Sequence, residues 1–200
     1  MPDINNVMLQ GTIVHKFTTP KVAILTIGTG NATPTTNYPK VLFFGKDVEN
    51  INENYKTGEH VSITGNIQSS RKKDDIKNQN LVSIFGETIE KSKSIFQEKF
   101  GVNEDSTPEY EFKNEINISG KISKISKIFD NLVKIRISTV KNGRFSSVNM
   151  VYYTNNPEKI LNTYKLKDTV YITGCVQTTK KIADGKPHYF ENYVINEIKK

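Results

Sequence analysis

The chain has 200 residues, an apolar fraction of 36%, ten Phe, nine Tyr, no Trp and a formal net charge of +7. Its one cysteine, Cys175, excludes an internal disulfide and a cysteine-built zinc site. With no basic-then-apolar leader and no apolar run near the ~18 residues of a membrane span, a cytoplasmic protein with no membrane partner is expected.

The first strand is predicted around Val7–Ile13, where apolar residues alternate with others, and a second at Val22–Ile27. A Gly/Thr/Pro-rich turn over 28–39 leads to the apolar run Val41-Leu42-Phe43-Phe44. A short helix follows over Asp47–Tyr55, with Asp47 as its candidate cap. A fourth strand carries Gly65 and a fifth covers Leu81–Phe85. The next stretch, 89–112, reads as a linker: Ile89, Ile95, Phe96 and Phe100 suggest one short helix, and an acidic segment with Pro108 comes after it. The pattern then starts again. Strands are expected near Ile116–Ile122 and at Leu132–Ile137, joined by the Asn142-Gly143 hairpin signal to a third ending Met150-Val151-Tyr152-Tyr153. Asn156 and Pro157 open a helix to Tyr164, and strands at Gly174 and Tyr189–Val194 close the set.

The restart is a true repeat. Tyr55–Ser70 aligned with Tyr164–Thr179 gives seven identities in sixteen positions, at an offset of 109 residues. Gly11 and Gly120, Val41–Phe44 and Met150–Tyr153, and Ile51 and Ile160 fall in the same register. Three strands, a helix and two strands within about 90 residues suit the OB-fold, a five-stranded Greek-key barrel. The expected fold is therefore all-β, two tandem OB-folds over 1–88 and 113–200. The copies differ in charge: residues 1–92 hold ten basic and nine acidic side chains, residues 110–200 sixteen and eight. An excess of cations suits a polyanionic partner.

The first copy resembles the bacterial single-stranded DNA-binding (SSB) proteins in Asn6-Val7-Met8-Leu9-Gln10-Gly11, in Val41-Leu42-Phe43-Phe44-Gly45-Lys46, and in Tyr55-Lys56-Thr57-Gly58 running on to Ile63-Thr64-Gly65. The likeness covers about residues 5–90. It implies an OB barrel that binds single-stranded DNA with little regard to sequence, with stacking aromatics on the third strand and in the hairpin after the fourth. Carried over by position, the last aromatic before the Gly-Lys step is Phe44, and the aromatic six residues earlier is Tyr38. The second copy offers Tyr153 for Phe44, while Ser147 stands at the place of Tyr38 and Phe145, two residues earlier, is the substitute. The family's members carry one barrel per chain, form tetramers and end in an acidic tail. Two joined barrels here imply a homo-oligomer that is a dimer sooner than a tetramer. The ending Asn196-Glu197-Ile198-Lys199-Lys200 departs from that tail and puts recruitment of replication or recombination proteins through it in doubt. The compact size inclines the reading toward a phage or conjugative element.

Sequence-tolerant binding needs flat π-surfaces for unpaired bases and cations for phosphates. Strand alternation puts Lys40, Leu42 and Phe44 on one face and Val41 and Phe43 on the other. The same alternation sets Lys134 and Arg136 apart from Val133, Ile135 and Ile137. Further candidate cations are Arg71, Lys72 and Lys73 after the fourth strand, Arg144 in the short hairpin, and Lys180, Lys181 and Lys186 in the last hairpin. Against catalysis, His15, His60 and His188 are scattered with no triad or ligand spacing, and Gly28-Thr29-Gly30 is no phosphate-cradling loop. No enzyme, cofactor or metal is expected. Two other readings stay open: an OB-fold protein-interaction adaptor without DNA binding, and an RNA-binding protein, because stacking and phosphate contacts serve RNA equally.

Overall fold

The computed structural model describes residues 3–29, 36–71, 80–92, 111–183 and 186–200; within these ranges the side chains of 71, 80, 180, 181, 183 and 186–189 are outside the description. Among the described residues ten strands and two helices occur in the order β1 (Asn5–Thr18), β2 (Val22–Gly28), β3 (Lys40–Phe44), α1 (Lys46–Asn54), β4 (His60–Arg71), β5 (Asn80–Lys91), β6 (Lys113–Phe129), β7 (Leu132–Lys141), β8 (Arg144–Tyr153), α2 (Pro157–Thr163), β9 (Thr169–Ala183) and β10 (Lys186–Lys199). β1–β5 pair in the closed circuit β1-β2-β3-β5-β4, and β6–β10 repeat it as β6-β7-β8-β10-β9. β3 with β5 and β8 with β10 are parallel pairs, whereas β1–β2, β2–β3, β6–β7, β7–β8, β6–β9 and β9–β10 are antiparallel. This is the strand order of an OB barrel, with the helix between the third and fourth strands.

The chain divides into two compact units. One comprises Met8–Gly65 and Ile84–Asn114; the other comprises Met1–Val7, Asn66–Ser83 and Glu115–Lys200. The first thus holds the body of the β1–β5 barrel. The second holds the β6–β10 barrel together with the opening of β1 and the outer part of the β4–β5 hairpin.

Alternation builds each core. In the first barrel Leu9, Ile13, Leu25, Ile27, Val41, Phe43 and Ile84 are buried; in the second Ile118, Ile122, Val133, Ile135, Ile137, Met150 and Ile172 are. Each such side chain contributes about 1.5–3 kcal/mol by leaving water. The repeated glycines mark where strands meet too closely for a side chain. A Cβ at Gly65 would strike the carbonyl oxygen of Phe85, and at Gly174 that of Val194.

The repeat extends to side-chain detail. After α1, the Tyr55 hydroxyl donates to the Ile89 carbonyl (2.9 Å), Lys91 lies 5.7 Å over the Tyr55 ring, and Lys91 pairs with Glu59 at 2.8 Å. After α2, Tyr164 donates to Ile198 (2.8 Å), Lys200 lies 5.7 Å over its ring, and Lys200 pairs with Asp168 at 2.8 Å. Their lysines hold both carboxyls below their ordinary values, Glu59 through Lys91 and Asp168 through Lys200.

Asn156 caps α2, accepting from the Lys159 N–H at 3.0 Å. Asp47 does not cap α1. The N-cap is Gly45, at φ 66° with no side-chain cap, and Asp47 lies inside the first turn, where its charge meets the positive helix end instead. β5 runs on to Lys91, so Ile89, expected at the start of a linker helix, is strand; 93–110 lie outside the described residues.

Candidate nucleic-acid interface

Phe44 is 46% exposed and Lys40 is exposed, with Leu42 half-buried between them, whereas Val41 and Phe43 are buried. The strand registers show what surrounds them. Phe17 on β1 stands opposite Ile24 on β2, Ile24 opposite Leu42 on β3, and Leu42 beside Phe85 on β5. Val22 stands opposite Phe44 in the next row, and His15, Thr26 and Lys40 form the row on the other side. Phe44 stacks on Phe85 with ring centroids 5.3 Å apart and planes 22° from parallel. The outer face of the first barrel is thus an apolar and aromatic platform with Lys40 at its edge. Tyr38 is exposed at the approach to β3, where Asn37 bridges Thr29 and the Tyr38 ring lies near Gly28.

The same rows in the second barrel carry different chemistry. Ser126, Lys134, Val151 and Val194 replace Phe17, Ile24, Leu42 and Phe85. Lys124, Arg136 and Asn149 replace His15, Thr26 and Lys40. Arg136 donates from Nε to the Asn149 Oδ1 at 2.9 Å, which fixes its guanidinium along the face. Tyr153, opposite Leu132, is 54% exposed, and Phe129 is exposed beside Leu132. The partner of Phe85 in the repeat, Val194, is buried, so Tyr153 has no aromatic at the place where Phe44 has one. Tyr152, the counterpart of the buried Phe43, is only half-buried.

The place of Tyr38 is closed in the second barrel. Ser147 is 9% exposed, and its N–H donates to the Ser69 hydroxyl of the β4 arm at 2.9 Å. Phe145, the expected substitute, is 62% exposed on the outer side of β8. Arg144 is its neighbour in sequence but lies on the opposite side of the strand, in a polar cleft with Lys141 and Ser146, so it does not join this face. Lys72 and Lys73 lie outside the described residues. Arg71, Lys180, Lys181 and Lys186 sit on β4, β9 and β10, and their side chains lie outside the description too.

Sequence reasoning missed Phe17, Phe85, Lys124 and Phe129. The strands carrying Phe17 and Lys124 run past the point where simple alternation ends, because each has a bulge, between Ile13 and His15 in β1 and between Ile122 and Lys124 in β6. Cys175 is buried, and burial pushes its thiol up, away from the reactive thiolate. No helix among the described residues is long and apolar enough to cross a membrane.

No protein-family model matches the chain, and no curated protein matches it in sequence. Solved structures do resemble it. A deletion-and-substitution variant of the single-stranded DNA binding protein from Thermus aquaticus superposes with a TM-score of 0.68 at 14% identity, over 99% of this chain and 94% of that one. The wild-type Thermus aquaticus protein gives 0.65 at 14% identity, over 100% and 93%. At that identity the likeness is one of fold.

Proposed function

We propose that the chain binds single-stranded DNA without strong sequence preference, the first barrel supplying most of the base stacking and the second most of the phosphate attraction. The observation that carries this reading is the exchange between matched rows: Phe17, Ile24 and Phe85 on one barrel against Ser126, Lys134 and Val194 on the other, with Arg136 and Lys124 beside them. Exposed aromatics on a barrel face offer stacking worth about 1–3 kcal/mol per base. Cations release counterions on meeting phosphates, which makes affinity salt-dependent. The fold likeness to a protein whose name states single-stranded DNA binding supports the same reading.

Tyr38, Lys40, Phe44, Lys134, Arg136, Phe145 and Tyr153 are the proposed contact residues, joined by Phe17, Phe85, Lys124 and Phe129. The hairpin cations Arg71, Lys72, Lys73, Lys180, Lys181 and Lys186 add to the attraction. The protein acts as a binding module, not as an enzyme, in replication, recombination or transfer of DNA.

The test is titration of labelled oligo-dT, matched duplex and oligo-U at two salt concentrations. Preference for oligo-dT that weakens with salt supports the proposal. Equal affinity for duplex would sink it, stronger binding of oligo-U would make the ligand RNA, and no binding of any would leave the apolar platform of the first barrel to a protein partner.

A further inference from the structure

A second polar feature lies across β8 from the face just described. In the unit of the second barrel a cleft of about 220 Å³ has Asn5, Asn66 and Ser146 buried at its base and Asn142 and Arg144 exposed at its mouth, with Gln68 and Lys141 between. Among the described residues neither an apolar side chain nor a carboxylate lines it. The Asp3 carboxylate is turned to the Val140 N–H at 2.8 Å.

The local chain is shaped to hold cations there. Asn142 and Gly143 both have positive φ, 52° and 75°, making a tight two-residue turn that sets Lys141 and Arg144 opposite each other. Lys141 donates to the Asn5 carbonyl (3.1 Å) and to Asn6 Oδ1 (3.0 Å). One Arg144 N–H goes to Gln68 Oε1 at 2.9 Å, and Gln68 in turn donates to Asn66 Oδ1 at 2.9 Å. That relay steadies a guanidinium fork that has five N–H donors in all.

At the base Ser146 is only 2% exposed and lines the cleft. Its hydroxyl can both donate and accept there.

We infer that this cleft takes one phosphate group. Its lining offers cations, amide N–H groups and one hydroxyl, which is the chemistry that recognises an anion with several acceptor oxygens. The inference rests on the single-strand reading above in one respect: the phosphate is a phosphodiester of the bound strand, carried round the Asn142-Gly143 turn from the outer face. A free phosphate is the other source of the same chemistry.

The experiment uses the full chain, oligo-dT of about 8 and about 30 nucleotides, and two salt concentrations. Arg144→Gln is expected to weaken binding of the longer oligomer about tenfold and to lower its salt slope by ~0.7, the share of one phosphate contact. The short oligomer, held by the stacking platform, is expected to bind unchanged. Arg144→Lys keeps the charge and is expected to restore the slope, which loss of the Gln68 bond alone would not explain. Unchanged affinity and slope for Arg144→Gln at both lengths would overturn the assignment to the strand.

Inorganic phosphate, titrated against the NMR signals of the Arg144 side chain, separates the two sources. If the wild type binds no oligomer, the single-strand reading fails, and a saturable phosphate shift absent from Arg144→Gln still upholds the cleft as a phosphate site. Absence of that shift together with absence of the length effect overturns the cleft outright.

Discussion

The two barrels share strand order, register, helix position and even the tyrosine–lysine–carboxylate clamp after the helix, yet their outer faces are almost opposites. Where the first presents Phe17, Ile24, Leu42 and Phe85 in one row, the second presents Ser126, Lys134, Val151 and Val194. The inward positions cannot diverge so far, because each is packed against the others at near-crystalline density. The outward positions are constrained only by what they meet. A shared barrel scaffold therefore leaves each outer face free to specialise.

Breaking the shared part has the largest expected effect. Phe43→Ala empties a site in the first core whose ring packs against Gly86, and it should cost about 3–5 kcal/mol, read as a fall in the denaturant midpoint. Next comes the platform. Phe44→Ala should weaken oligo-dT binding by about 1–3 kcal/mol while leaving unfolding nearly unchanged, because the ring is exposed. Tyr153→Ala should cost less, since no aromatic stands where Phe85 supports Phe44. A smaller effect sharpens the comparison: Ile24→Lys with Thr26→Arg gives the first barrel the cations of the second, and the salt slope should steepen by ~0.7 for each phosphate gained.

The smallest effect separates the barrels by pH. His60 is buried in the first, its Nε2 2.9 Å from the Glu111 carbonyl and its ring edge-on to Phe112; Thr169 stands at its place in the second. Burial pushes the His60 imidazole below its ordinary value, outweighing the Glu111 hydrogen bond that acts the other way. The unfolded chain then binds the proton more readily, so stability is full above about pH 6.5 and is lost as pH falls from there through the folded value. Thermal unfolding at pH 7.5 and 5.5 should show this acid loss in the wild type and a smaller one in His60→Thr.

Much of this architecture was legible in the residues. Gly65 and Gly174 recur because a strand carbonyl occupies the space of any Cβ, and such a demand shows in sequence as an unvarying glycine. Alternation placed Phe44 outward and Phe43 inward. What alternation could not do was cross a bulge. Past Ile13 the register shifts, Val14 and His15 are both exposed, and Phe17 then falls on the platform although a strand ending at Ile13 leaves it out. Phe85 was read as part of a strand, but its stacking with Phe44 depends on the parallel pairing of β3 with β5, a long-range fact. Arg144 was legible only as a hairpin cation. That it stands across the strand from Phe145 follows from the pairing of Lys141 with Arg144, since neighbouring strand residues point to opposite sides.

The division of labour between the faces is tested most directly by the salt dependence of oligo-dT binding in two variants, Phe44→Ala and the pair Lys134→Gln with Arg136→Gln. The account predicts that Phe44→Ala lowers affinity at every salt concentration with the slope of the wild type. It predicts that the paired variant flattens the slope by ~1.4, two phosphate contacts' worth. A flattened slope in Phe44→Ala, or an unchanged one in the paired variant, would contradict it.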